Sequence, residues 1–339
     1  MTGTAARTGD GVVTVCIPAW QAASFIERTL RCALAQTHPG LRIVVSIDAS
    51  DDDTERICRE QADRDGRISV TAHRERLGWA ANVNHLLDRA DTEFAVLYVH
   101  DDLIEPAYCE RLVTALRRRP DAASAHCDLG HFGGGDHVAP AHAYEGSAAD
   151  RLFEFLVTPA KGSMLRSMVR TARIGPGVRL PTDSRAGVWA NEPFLMRLVA
   201  AGPVLAVPEV LYRRWDKRRG GLTDGWTALP FAEILDGYRV NAASALALVD
   251  RLDPTPGQRE LLRFGLLVYL MPRVRLAEQR HGAVRVTAPE EIHPVLTDGG
   301  VPAAVDGLPE VLRGWCLRSY AHFEALTAER AREVEAAPA

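Results

Sequence analysis

The feature that most constrains this chain is an alternation that runs through its first 127 residues. Apolar runs at Val12–Pro18, Arg42–Ile47, Ile68–Thr71, Phe94–Tyr98 and Ala122–Cys127 are separated by stretches of helical spacing at Phe25–Leu34, Thr54–Ala62, Trp79–Ala90 and Pro106–Arg118. Strands alternating with helices predict βαβ units and a largely parallel sheet. In such sheets, ligands bind beyond the carboxyl ends of the strands. Those ends are acidic here. Asp48 follows the second strand, and His100, Asp101 and Asp102 follow the fourth. Ionised carboxylates at the end of a buried strand are costly unless water, a cation or a donor group meets them. If the two strands are neighbours, all three carboxylates face one crevice. No G-x-G-x-x-G follows the first strand and no G-x-x-x-x-G-K-[ST] is present. That argues against a dinucleotide-binding dehydrogenase and a P-loop NTPase.

Past residue 125 the pattern changes. HCDLGHFGGGDHVAPAHAY, from His126 to Tyr144, is rich in Gly and His and reads as a loop or hairpin. A helix is expected at Asn191–Ala201 and a strand at Val204–Val207. From Trp226 on, Ala232–Leu252, Gln258–Gln279 and Pro309–Glu335 carry helical periodicity and no strand signal. These observations place a boundary near Asp224. Residues 1–11 read as a disordered N-terminus, 12–224 as an α/β sheet domain and 225–339 as a C-terminal helical region. The segment Leu261–Leu276 is the most apolar helix and reads as the core of a helical bundle, with a membrane-surface or homodimer contact as alternatives. Pro272 is expected to kink or end it.

Composition narrows the class further. A net charge of −4 leaves no footprint for nucleic-acid binding. The six cysteines are scattered, with no C-x-x-C pair, which fits reduced, mostly buried thiols in the cytoplasm. The small, polar N-terminus lacks the apolar segment of a secretory signal. No stretch approaches ~18 uninterrupted apolar residues, so no transmembrane helix is expected.

Several stretches occur in a telling order. They are Val15-Cys16-Ile17-Pro18-Ala19-Trp20-Gln21, then Gln36-Thr37, then Ile47-Asp48-Ala49-Ser50-Asp51-Asp52-Asp53-Thr54. Arg76-Leu77-Gly78-Trp79-Ala80-Ala81-Asn82-Val83-Asn84 and His100-Asp101-Asp102 follow, then Asn191-Glu192 through Arg197-Leu198 and Gly202. Val207-Pro208-Glu209 and Leu211-Tyr212-Arg213 close the series. Together they resemble the family 2 glycosyltransferases. That family's corresponding pieces are V-I-I-P-x-Y-N, Q-T, D-D-G-S-T-D-x-T, N-x-G-x-x-x-A-R-N, a metal-binding D-x-D, an acidic helix and a P-x-x-L-Y-R strand. The resemblance covers about Val12 to Gly221. It departs from the pattern at Ile47 and Val99, where the family has Asp, at the Asn191-Glu192 pair, and at Trp215, where a His often stands.

The resemblance implies a GT-A fold, a Rossmann-like and mostly parallel sheet flanked by helices. It implies transfer of a sugar from a nucleotide-sugar donor to an acceptor hydroxyl, with inversion. A divalent cation, Mn²⁺ or Mg²⁺, would neutralise the departing diphosphate, since such ions prefer carboxylate and phosphate oxygens. Asp102 is the first metal ligand so implied, with Asp101 helping the metal or holding the ribose. Asp48 would contact the base or ribose, and Pro18, Ala19 and Trp20 would lie beside the base. Arg76 and Asn84 are further nucleotide-sugar contacts. Glu192 is the expected catalytic base and Asp183 the alternative.

A zinc reading of His126, His131, His137 and His142 is set aside, because their spacings match no short motif. The basic run Arg213–Arg219 would close over the diphosphate, touch an anionic acceptor or form a solvated turn. The acceptor would be a small molecule, a glycan or a lipid-linked sugar. The Ala-, Arg- and Gly-rich composition fits bacterial polysaccharide or natural-product glycosylation in the cytoplasm, or at the inner face of the membrane. A non-catalytic sugar-nucleotide-binding relative stays open, as does a nucleotidyltransferase. PAWQAAS after the first strand disfavours the latter, which would carry a Gly-rich, basic signature there.

Overall fold

A computed structural model of the chain describes residues 11–158, 164–175, 177–182, 189–216, 228–282, 286–296 and 301–336. The first ten residues, Asp183, residues 217–219 of the basic run and the expected boundary at Asp224 lie outside them. The chain divides into two compact units. One takes in Met1–Ala143, Ala160–Leu180 and Ala201–Arg218, and the other Tyr144–Pro159, Pro181–Ala200 and Arg219–Ala339.

The first unit is built on a nine-stranded sheet. Its strands are β1 (Val13–Ala19), β2 (Leu41–Asp48), β3 (Ile68–His73), β4 (Phe94–Leu97), β5 (Leu103–Ile104), β6 (Ser124–Phe132), β7 (Val138–Ala139), β8 (Met168–Arg170) and β9 (Val204–Trp215). The spatial order is β3-β2-β1-β4-β8-β6-β9-β5, with β7 paired to β6. Strands β3, β2, β1 and β4 are mutually parallel. Strand β8 runs antiparallel to β4 and β6, and β9 returns parallel to β6. The neighbours β1, β2 and β4 therefore bring the ends of the second and fourth sequence strands to one edge, on either side of β1.

Four helices complete the alternation, α1 (Ile26–Leu34), α2 (Thr54–Arg64), α3 (Trp79–Asp88) and α4 (Tyr108–Arg118). Side chains of a strand point alternately to the two faces, and β1 shows the consequence. Val13, Val15, Ile17 and Ala19 join a core with Ile26 and Leu30 of α1 and Leu112 and Leu116 of α4. Cys16 points the other way, to Val44 and Leu86. Burial pushes its thiol up to about 12, so it behaves as a small apolar side chain.

Strand β9 is longer than the expected Val204–Val207. Its pairing with β6 jumps from Cys127↔Val207 to Asp128↔Val210, so Pro208 and Glu209 bulge out. Proline has no N–H to give the ladder, and a bulge lets the strand continue past it.

The second unit is helical: α5 (Ala148–Val157), α6 (Asn191–Ala201), α7 (Phe231–Arg251), α8 (Pro256–His281), α9 (Pro289–Ile292) and α10 (Glu310–Ala336). Residues that the sequence placed with the sheet, α5 and most of α6, group with these helices. Phe155 of α5 packs on Tyr269 of α8, with ring centroids 5.9 Å apart. Helix α8 starts from a capping box of Thr255 and Gln258 with Pro256 in its first turn, all favourable at a helix start. It runs through Pro272 to His281, so of the two expectations, a kink or an end, the helix does not end there. Every residue from Phe264 to Pro272 is buried, and packing holds a turn that the proline alone would weaken. Among the described residues, no helix is long and apolar enough to cross a membrane.

Candidate functional site

The loops that leave β1 and β2 are laced together by short polar side chains. The backbone N–H of Gln21 donates to Ser50 Oγ at 3.0 Å, that of Ala22 to Thr54 Oγ1 at 2.8 Å and that of Ala23 to Asp52 at 2.9 Å. Burial works to raise the pKa of Asp52, but hydrogen bonds from Thr54 and Ala23 hold it below the usual carboxylate range. Directly beyond the two strands, Gln21 and Ala49 have φ of 47° and 44°. Non-glycine residues in that region carry strain, which collects where a fold must hold an awkward backbone.

This lacing positions Asp48, Trp20 and Arg76. Asp48 is 2% exposed. Its carboxylate accepts the backbone N–H groups of Leu77 at 2.6 Å and Gly78 at 3.0 Å. Arg76 Nη1 lies 3.6 Å from the same carboxylate. The Arg76 guanidinium sits over the Trp20 indole, 3.8 Å from the ring centroid. Trp20 stays 36% exposed, so an aromatic face backed by a cation lies at the open end of β1. His100, past β4, donates from Nδ1 to the Pro18 carbonyl at 3.0 Å and ties the end of β4 to the same place.

The two acidic residues that follow His100 differ. Asp102, expected as the first metal ligand, has both oxygens engaged. Oδ2 accepts from Arg166 Nε at 2.9 Å and from the Tyr212 hydroxyl at 3.0 Å, and Oδ1 accepts from the Trp215 N–H at 3.1 Å. The Tyr212 hydroxyl in turn accepts from Val99 N–H at 3.2 Å. Burial works against the Arg166 charge, but Asp102 and Tyr212 outweigh it and hold the guanidinium protonated. Asp102 thus anchors β4 to β9 and to the segment at Arg166. Asp101 is 8% exposed, and its carbonyl accepts from Arg28 Nη2 at 3.1 Å.

Asn84, expected at the nucleotide, lies on α3. Its amide makes a reciprocal pair with the Leu180 backbone, Nδ2 donating at 2.8 Å and Oδ1 accepting at 2.9 Å. The side chain is a clip between α3 and the segment before Pro181. Glu192 belongs to the helical unit, in the first turn of α6. Its Oε1 lies 3.3 Å from Asn191 Nδ2, and its Oε2 is buried with no hydrogen-bond partner among the described residues. The phenol of Tyr238 is pushed up by burial, with a contribution from the Glu192 charge.

Residues 14–168 match the model of glycosyl transferase family 2. That stretch of the chain is similar to the family 2 glycosyltransferases. The glycosyltransferase GlyA of Streptococcus pneumoniae is 30% identical over 103 residues, 30% of this chain and 15% of that protein. The putative teichuronic acid biosynthesis glycosyltransferase TuaG of Bacillus subtilis is 29% identical over 113 residues, 33% of this chain and 45% of TuaG. The matches thus span less than half the length of these relatives. In fold, the chain resembles S. aureus TarS 1-349 in complex with UDP-GlcNAc, with a TM-score of 0.66, 15% identity and coverage of 96% of this chain and 91% of that one. It also resembles the mannosyltransferase PcManGT of Pyrobaculum calidifontis in complex with GDP-Man and Mn²⁺, with a TM-score of 0.52, 19% identity and coverage of 96% and 88%. The GT-A fold expected from the sequence is the one observed.

The similarity to that family implies a divalent cation near the position of its D-x-D. The residues here fit one. The end of β4 offers hard carboxylate oxygen, and Mg²⁺ or Mn²⁺ commonly takes one or two carboxylates with the substrate's phosphates completing its shell. Asp101 and Asp102 are the carboxylates there, and Asp102 also accepts from Arg166, Tyr212 and the Trp215 N–H. The anchors Arg166 and Arg28 had no signal in the sequence. Tyr212 did, as the Tyr of Leu211-Tyr212-Arg213, but its tie to Asp102 spans 110 positions.

Proposed function

We propose that the chain transfers a sugar from a nucleotide-sugar to an acceptor hydroxyl, with inversion at the anomeric carbon. The observation that carries this reading is the convergence of Trp20, Asp48, Arg76 and Asp101 at the carboxyl ends of β1, β2 and β4. The indole face offers packing for a base. The Asp48 carboxylate offers an acceptor for a base N–H or a ribose hydroxyl, and Arg76 a cation for phosphate. Bound at Asp101, a divalent cation would supply charge neutralisation for the departing diphosphate. Pro18 and Ala19 line the same strand end and would present backbone to the base.

Glu192 is the proposed base. Its buried and unpartnered Oε2 supports this, since a buried acceptor normally meets a donor, and an acceptor hydroxyl would be one. Asp183 remains the second choice. PcManGT and TarS were solved with GDP-Man and UDP-GlcNAc respectively, so both UDP- and GDP-sugars belong in the first screen. A cell-envelope glycan acceptor is the class suggested by TuaG.

The test is incubation with a panel of nucleotide-sugars and Mn²⁺, reading nucleoside diphosphate release and the product's anomeric proton coupling. Release with inverted configuration supports the reading. Retained configuration refutes inversion. Glu192→Gln should lower turnover by roughly 10²–10⁴ with donor affinity unchanged. An unchanged rate in Glu192→Gln and a collapse in Asp183→Asn would move the base to Asp183.

A further inference from the structure

The sequence spacing of His126, His131, His137 and His142 gave no metal motif, but the fold selects two of them and adds a third group from 79 positions beyond His137. His131 ends β6 next to Phe132, His137 precedes β7 on the other arm of the hairpin, and Asp216 follows β9. The ligand atoms of His131, His137 and Asp216 all lie within 4.8 Å of one another. His131 Nδ1 is 2.9 Å from both carboxylate oxygens of Asp216. The two imidazoles are stacked, with centroids 3.7 Å apart and planes 20° from parallel.

The hairpin is shaped to allow this. Gly133 has φ +80°, and a Cβ there would meet the Trp215 ring at 2.6 Å; one at Gly134 would come within 3.0 Å of Asp216 Cβ. Side chains at these glycines would push the hairpin off the end of β9. His126 is excluded, since it is buried on β6 with Nε2 on the His142 carbonyl at 2.8 Å.

We propose that His131, His137 and Asp216 form a binding site for a borderline transition-metal ion of the Zn²⁺ class, separate from the oxygen-ligand site at Asp101. Two imidazoles and one carboxylate suit zinc and its neighbours rather than Mg²⁺. In a tetrahedral shell with metal–nitrogen bonds of about 2.0–2.1 Å, neighbouring ligand atoms stand about 3.3 Å apart. The 2.9 Å separation of His131 and Asp216 is close to that, and the outer limit of 4.8 Å is within side-chain reach. His131 is buried while His137 and Asp216 are exposed, which leaves a path for the ion and a position for water. Arg214 Nε, 3.6 Å from Asp216 Oδ1, belongs to a half-exposed side chain that can swing away. The consequence is mechanical. The ion would pin the chain just after Trp215, whose backbone N–H holds Asp102.

The test uses the full chain stripped with chelator, then titrated with Zn²⁺ in excess Mg²⁺ to keep the Asp101 site occupied, and with Co²⁺ to read visible d–d absorption. The site predicts one Zn²⁺ per chain and Co²⁺ bands of imidazole–carboxylate ligation. Both should be retained in Asp101→Asn. Affinity should fall at least tenfold in His137→Ala, an exposed position that does not threaten folding, and in Asp216→Asn. Absence of Zn²⁺ uptake, uptake unchanged in His137→Ala, or uptake lost in Asp101→Asn would each overturn the proposal and leave a plain His131–Asp216 ion pair.

Discussion

Replacing Asp102 by Ala separates an anchor from a metal ligand. In the folded chain its carboxylate holds Arg166 at 2.9 Å, Tyr212 at 3.0 Å and the Trp215 N–H at 3.1 Å, and Asp102 is 2% exposed. Removing one partner of a buried ion pair leaves the other charge without compensation and costs about 3–5 kcal/mol. The stranded Tyr212 and Trp215 donors push the value toward the upper end. For a domain of this size about 1 kcal/mol moves the melting temperature by roughly 2–4 °C, so the expected fall is on the order of 10 °C. Urea unfolding followed by circular dichroism reads the free energy directly. A paired control sharpens the result: Asp102→Leu with Arg166→Met removes both charges and should be less destabilised than Asp102→Leu alone. If Asp102→Ala stays within about 0.5 kcal/mol of the parent yet loses metal-dependent nucleotide binding, the anchor reasoning is wrong and Asp102 ligates the cation.

Three further outcomes follow from the same geometry. Arg76→Ala should weaken binding of nucleoside diphosphates, and Trp20→Leu should remove the indole fluorescence change that accompanies it; an unaltered titration in both variants would move the base away from Trp20. Asn84→Ala should cost about 1–3 kcal/mol through the two lost backbone hydrogen bonds while leaving nucleotide affinity unchanged, and a loss of affinity in a stable variant would restore Asn84 to the donor site. Burial lowers the pKa of His126 to about 4, so the unfolded chain binds more protons between about 6.5 and 4. Stability is then complete above 6.5 and lost as pH falls through that window, by up to about 3 kcal/mol. His126→Leu should flatten this part of the pH–stability curve measured by urea unfolding, and a slope unchanged in the variant would contradict the assignment.

Much of the sheet was legible because β1 to β4 are written as short apolar runs between helices of clear period, and the parallel order places Asp48 and Asp101 at one edge. The carboxylates themselves were less legible. Asp101 and Asp102 look alike in sequence, and what distinguishes them is a guanidinium from Arg166 and a hydroxyl from Tyr212, neither of which has a fixed spacing from them. Asn84 fell on a family motif, but its amide is satisfied by Leu180, a partner chosen by chain path. The grouping of α5 and α6 with the later helices was not legible for a related reason. Helices α5 and α6 carry apolar faces that say only that they are buried, and the aromatic partner of Phe155, Tyr269, lies more than a hundred positions on. Pro272 broke a local rule that the surrounding packing overrode. The His131–His137–Asp216 cluster was illegible because its third member arrives on β9 through sheet pairing.

The most direct test of the donor site is thermal unfolding with UDP, GDP and the other nucleoside diphosphates, each with and without Mn²⁺, for the parent chain and for Asp101→Ala. A ligand at ~100 times its dissociation constant should stabilise by about 2.7 kcal/mol. The expected result is a rise in melting temperature for one base, dependent on Mn²⁺ and absent in an otherwise stable Asp101→Ala. No rise with any nucleotide, or a Mn²⁺-dependent rise that survives Asp101→Ala, would contradict it.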